Sequence, residues 1–101
     1  MRMLLSVIFP NEPFNALLRA GTAGEILKAI MDDLRPEVVY FTEEDGMRAV
    51  LLVVDLTSPS DVPKIAEPFF LKFDAECRIR IVMSPADLKN AGLDLLGKKW
   101  G

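Results

Sequence analysis

The sequence predicts an α+β fold of the ferredoxin-like class: a βαββαβ order with an extra C-terminal helix, forming a four-stranded antiparallel sheet with its helices on one face. Three observations predict it. Residues 73–83 alternate apolar and polar side chains almost without exception, the period of a strand with one covered face. Two runs rich in β-branched and aromatic residues, 38–42 and 47–56, are joined by an acidic turn ending in Asp45-Gly46. Between the strands, apolar residues recur at the three-and-four spacing of amphipathic helices.

Each element follows in order. Residues 3–9 are a dense apolar run closed by Pro10, too short for a buried helix and suited to a buried strand. From Pro13, Phe14, Leu17 and Leu18 start a helical period that breaks at Gly21 and resumes at Ile26, Leu27, Ile30, Met31 and Leu34. The spacing therefore predicts a short helical turn through Arg19 and a main helix over 23–34, with Thr22 and Glu25 as a capping box and Pro36 as the stop. With Asp45-Gly46 as a two-residue hairpin turn, Glu43 falls opposite Arg48, a pair of opposite charge that supports this register. Pro59-Ser60-Asp61 opens the next helix, with Ser60 as cap and Pro63 in the first turn. Pro68 predicts a kink or an end near Glu67, because a proline inside a helix costs about 3 kcal/mol. In the fourth strand, 73–83, Phe73, Ala75, Cys77, Ile79, Ile81 and Met83 take the core side, and Asp74, Glu76, Arg78 and Arg80 the other. Ser84-Pro85-Ala86-Asp87 caps a C-terminal helix carrying Leu88, Ala91, Leu95 and Leu96, interrupted or ended at Gly92 and Gly97.

Composition narrows the function classes. The 101 residues fit one domain, 1–101, and half of them are hydrophobic, which excludes a disordered chain. A net charge of −3 is the wrong sign for a surface that tracks phosphates, so nucleic acid is not an expected partner. There is no histidine, which closes every mechanism that needs an imidazole base or a His-ligated metal; no metal and no cofactor are expected. The single Cys77 forms no internal disulfide, and a cytoplasmic setting is expected. The first nine residues could pass for a short signal peptide, but Pro10-Asn11-Glu12 follows without a small-residue cleavage site, and no apolar stretch approaches the roughly 20 residues of a membrane span.

Sorting the strands by apolar density leaves one sheet face open. It carries Leu4, Ser6 and Ile8, then Tyr40 and Thr42, then Ala49, Leu51 and Val53, and 74–80 from the fourth strand. Its middle is too apolar for water and its edges too polar for a simple core, so a second copy is expected to press the same face against it. A mean hydropathy of +0.24, high for a small monomer, agrees. Such pairing would bring Ser6, Tyr40, Thr42, Glu76 and Arg78 toward a shared cavity.

The pattern Phe9-Pro10-Asn11-Glu12-Pro13-Phe14-Asn15, then Gly21-Thr22-Ala23-Gly24, Tyr40-Phe41-Thr42-Glu43, Ala66-Glu67-Pro68-Phe69-Phe70-Leu71 and Val82-Met83-Ser84-Pro85-Ala86-Asp87-Leu88 resembles a family of short bacterial proteins of the dimeric α/β-barrel group. The resemblance covers nearly the whole chain. It implies the group's fold and pairing, and the company of muconolactone isomerases, small quinol-type monooxygenases and stress-responsive barrels. A pantothenate synthetase label attached to some similar chains does not fit, since that chemistry uses a longer nucleotide-binding domain and a histidine-containing motif. The resemblance supplies no catalytic residue.

Among individual residues, Arg19 precedes Gly21-Thr22-Ala23-Gly24 at a helix start, where exposed amides attract anions, although paired glycines also serve packing. Tyr40 beside Glu76 or Arg78 could polarise a substrate oxygen, and equally suits an interface. The run Glu43, Glu44, Asp45 lacks calcium-ligand spacing and reads as a solvated turn. Cys77 reads as a small core residue, and Trp100 after Lys98 and Lys99 as a loose end or an anchor on a partner subunit. The expectation is a homodimer binding a small organic molecule, anions included, with Ser6, Arg19, Tyr40, Thr42, Glu76 and Arg78 as ligand-binding candidates. The alternatives are a cofactor-independent isomerase or monooxygenase, and a structural or protein-interaction module.

Overall fold

The computed structural model describes residues 1–101. Strand β1 (Arg2–Phe9) is followed by α1 (Asn11–Arg19) and α2 (Ala23–Leu34), then by the hairpin strands β2 (Val38–Glu44) and β3 (Met47–Asp55). A 3-10 turn (Pro59–Asp61) leads into α3 (Val62–Phe73), β4 (Glu76–Ile81) and the terminal helices α4 (Pro85–Asn90) and α5 (Leu93–Trp100). The strands lie in the order β2-β3-β1-β4, each antiparallel to its neighbours. This is the ferredoxin-like α+β architecture, with the first crossover divided into two helices.

The division follows from Gly21, whose φ of +75° ends α1 and lets α2 start two residues later. Thr22 does not cap α2 as its spacing with Glu25 predicts. Its backbone is helical rather than extended, so the hydroxyl turns back and donates to the Leu17 carbonyl at 3.2 Å. The cap of the next helix also shifts. Ser58 rather than Ser60 closes a capping box with Asp61, because Pro59 opens a 3-10 turn ahead of α3.

Pro68 neither ends α3 nor breaks its helical backbone. Ile65, Phe69 and Phe73 stand four residues apart and are all buried against the sheet, which outweighs the one lost backbone bond. The carbonyl that loses its amide belongs to exposed Lys64, where solvent can replace it. Phe73 is therefore the last residue of α3, and Asp74, with φ +53°, closes the helix before a strand shorter than the predicted 73–83. Ile81 and Met83, expected on the core side, are exposed, because the helix layer does not reach this corner.

The core lies between the helices and the sheet face carrying Leu5, Val7, Phe9, Val50 and Leu52. Phe9 meets the rings of Phe14, Phe69 and Phe73 edge-on at 5.2, 6.1 and 5.1 Å, and Phe14 stacks on Phe73 at 5.1 Å. Each such pair adds about 0.5–1.5 kcal/mol to the burial itself.

The C-terminal segment stands apart. Ser84 accepts from the Asp87 amide at 3.1 Å and Asp87 accepts from the Ser84 amide at 2.9 Å, so α4 starts on a complete capping box. Gly92, at φ +73°, separates α4 from α5, which runs on through Gly97. Every residue from Pro85 to Trp100 except Gly92 is exposed. This arm stretches the molecule to 59 Å and its radius of gyration to 17.0 Å, against about 13 Å for a compact chain of this length.

Candidate functional site

The sheet face opposite the helices is organised by strand register into three rows of side chains, each crossing all four strands. One row is Tyr40, Leu51, Ser6, Arg78; the next is Thr42, Ala49, Ile8, Glu76; the third is Val38, Val53, Leu4, Arg80. Five of the six residues singled out as ligand-binding candidates thus fall on one face in two adjacent rows. The sixth, Arg19, does not join them. It sits at the exposed end of α1 with Nη1 3.8 Å from Glu12 Oε1.

Ser6, Ile8 and Ala49 are buried although they lie outside the helix-covered core cluster. An ion pair between the two edge strands crosses this face. Arg78 Nη1 lies 3.6 Å from Glu44 Oε1, and Arg78 Nη2 lies 3.6 Å from Glu76 Oε2. Glu44 and Arg78 belong to the two edge strands, whose backbones would be about 14 Å apart in a flat sheet. Right-handed twist lifts these diagonal corners toward each other, so the two long side chains meet across the face. Beside the bridge, Ser6, Thr42, Glu43, Glu44, Ala49, Leu51 and Arg80 line a depression of about 250 Å³. Of the six candidates only Ser6 and Thr42 line it; Tyr40, Glu76 and Arg78 lie outside it on the same face, Tyr40 68% exposed.

The acidic turn is already engaged. Asp45 and Gly46 both have positive φ, the geometry of a tight hairpin turn, and Glu43 Oε2 accepts from the Gly46 amide at 3.0 Å. Glu44 holds Arg78. No group of three or more Cys, Asp or Glu side chains is placed to hold a metal ion. Cys77 packs against the core, and burial first, then the charges of Glu67 and Glu76, push its thiol up to about 11. It is a packing residue, with little thiolate at neutral pH.

Sequence reasoning missed Glu44 and the role of Arg80. Their signal was parity: Glu44 continues the series Val38, Tyr40, Thr42, and Arg80 the series Glu76, Arg78. What the face can do chemically follows from its lining. Two hydroxyls, the Arg80 guanidinium, and Ala49 and Leu51 beneath them suit a small molecule with a polar group, and the Glu43 and Glu44 carboxylates, engaged with the Gly46 amide and Arg78, set how much negative charge it can carry. Among solved structures, the chain is similar to the de novo designed protein Ferredog-Diesel, at 19% identity over 80% of this chain and 85% of that one, with a TM-score of 0.48. Neither a protein-family model nor a curated protein matches the chain.

Proposed function

We propose that this protein is a small cytoplasmic homodimer in which the open faces of two sheets meet around a shared cavity that binds a small organic, including anionic, ligand. This is the pairing of the dimeric α/β-barrel group that the sequence resembles. The observation that carries the reading is the row pattern. Leu4, Leu51 and Val53 are only half-buried at the centre of a face that no helix covers, with Tyr40, Glu76, Arg78 and Arg80 on the edge strands. A twin face would cover the apolar centre and leave the polar edges to a rim or a ligand.

The arm supports the same reading. Leu93, Leu96 and Trp100 recur at i, i+3 and i+7 and are 53, 45 and 76% exposed, a stripe with no cover in its own chain. Ligand binding is favoured over catalysis because Tyr40 and Arg78 occupy opposite edge strands and Arg78 is already flanked by two carboxylates. A general acid or base must reach the group it serves within hydrogen-bond distance.

A thermal-shift screen with small carboxylic acids, quinols and lactones tests the cavity. A ligand should raise the melting temperature by linkage, and the gain should shrink in Arg80→Ala and Ser6→Ala. No stabilising compound in any class, or equal gains in both variants, would contradict it.

A further inference from the structure

A second pocket opens on the helix side of the hairpin, between it and helices α1 and α2, and shares only Thr42 and Ala49 with the lining of the open-face depression. Phe9, Phe14, Leu27, Phe41, Thr42, Arg48 and Ala49 line a space of about 160 Å³ that is apolar but for Thr42 and one cation, Arg48. Arg48 lies across the Phe14 ring, its guanidinium carbon 4.5 Å from the ring centroid. Its Nη1 is fully buried and has no hydrogen-bond partner.

The residue placed to neutralise it does not. Glu43 and Arg48 are directly opposite in the β2–β3 ladder, yet Glu43 Oε2 accepts from the Gly46 amide at 3.0 Å. Contact with an aromatic face offsets part of the desolvation of a guanidinium, but it supplies no acceptor for an N–H. Arg48 as a whole is only half-buried, but this one N–H is shut off from solvent without an acceptor, which costs free energy that an acceptor supplied by a ligand would recover.

We propose that this pocket binds a small hydrophobic monocarboxylate, its carboxylate on Arg48 Nη1 and its body against Phe9, Phe14, Leu27 and Phe41. One guanidinium and no second cation in the lining match a single negative charge better than a phosphate dianion. The volume lies below the usual range for drug-sized ligands, which selects a short branched or single-ring acid. Phe41, 61% exposed on edge strand β2, stands at the mouth. The site needs no second subunit, so it stands or falls separately from the paired-sheet cavity.

Titration of the ¹⁵N-labelled protein with benzoate and isovalerate, with benzamide as the neutral control, tests it. Saturable shifts are expected at residues 41–42 and 48–49 and at Leu27, with benzamide much weaker. Arg48→Gln should weaken benzoate by at least about tenfold, the scale of one charge-assisted hydrogen bond. Leu27→Phe, which keeps the charge and fills the space, should abolish binding and keeps the test decisive should Arg48→Gln fail to fold. Absence of saturable shifts with either acid, benzamide binding equal to benzoate, or unchanged affinity in a folded Arg48→Gln or Leu27→Phe variant would overturn the proposal. Shifts confined to Ser6, Leu51 and Arg80 would also overturn it, assigning the ligand to the open face.

Discussion

Arg78 and Glu44 join the two edges of the sheet, guanidinium Nη1 to carboxylate Oε1 at 3.6 Å, over strands that separate them in the hydrogen-bonding order. Their side chains are 53 and 40% exposed, so solvent screens the attraction. Arg78→Gln should therefore change unfolding free energy by less than about 1 kcal/mol, measured by urea denaturation. A much larger loss would show that the bridge holds the twist of the sheet.

The aromatic cluster should respond very differently. Phe73, the last residue of α3, is fully buried against the rings of Phe9 and Phe14, and Phe73→Ala should cost about 3–5 kcal/mol in the same assay. Ile81→Ala, on the same side of the predicted strand but 63% exposed, should stay within about 0.5 kcal/mol. Equal effects would contradict the short strand and the position of the core.

Cys77 gives a pH prediction. Burial, with help from Glu67 and Glu76, holds the folded thiol's proton to about 11, whereas an unhindered thiol releases it near 9.0. Its contribution is intact below pH 9 and is lost as pH rises from 9 toward 11, where the unfolded chain ionises first. Cys77→Ala should flatten this alkaline decline, and iodoacetamide should alkylate native Cys77 far more slowly than the urea-unfolded chain.

The arm reports on association through the chain's single tryptophan. In the lone chain Trp100 is 76% exposed. If a second subunit covers the Leu93, Leu96, Trp100 stripe, emission at high protein concentration should be blue-shifted and move to the red on dilution. Emission independent of concentration would remove the arm from the interface.

Much of the fold was legible because single residues carried single meanings. Asp45-Gly46 fixed the hairpin, and the alternation Glu76, Cys77, Arg78, Ile79 fixed which face of β4 meets the helices. Phe73 was ambiguous because it satisfies two periods at once, even spacing with Ala75 and Cys77 and four-residue spacing with Phe69 and Ile65; burial under the helix decided for the second. Pro68 was misleading for the same reason, since a local rule worth about 3 kcal/mol met two buried phenylalanines worth more. The five candidates on the open face could be placed by parity alone. The Arg78 to Glu44 contact could not, because it depends on twist accumulated over four strands. Nor could the isolation of Arg48, because the Glu43 to Arg48 register came out as expected while the carboxylate turned to the Gly46 amide.

Sheet pairing is the central claim, and light scattering on the eluting peak at micromolar concentration tests it most directly. The wild-type chain should weigh twice its 11.3 kDa, and Leu51→Glu, which places a charge at the centre of the open face, should weigh 11.3 kDa while remaining folded. A wild-type mass of one subunit, or a Leu51→Glu protein that still pairs, would contradict it.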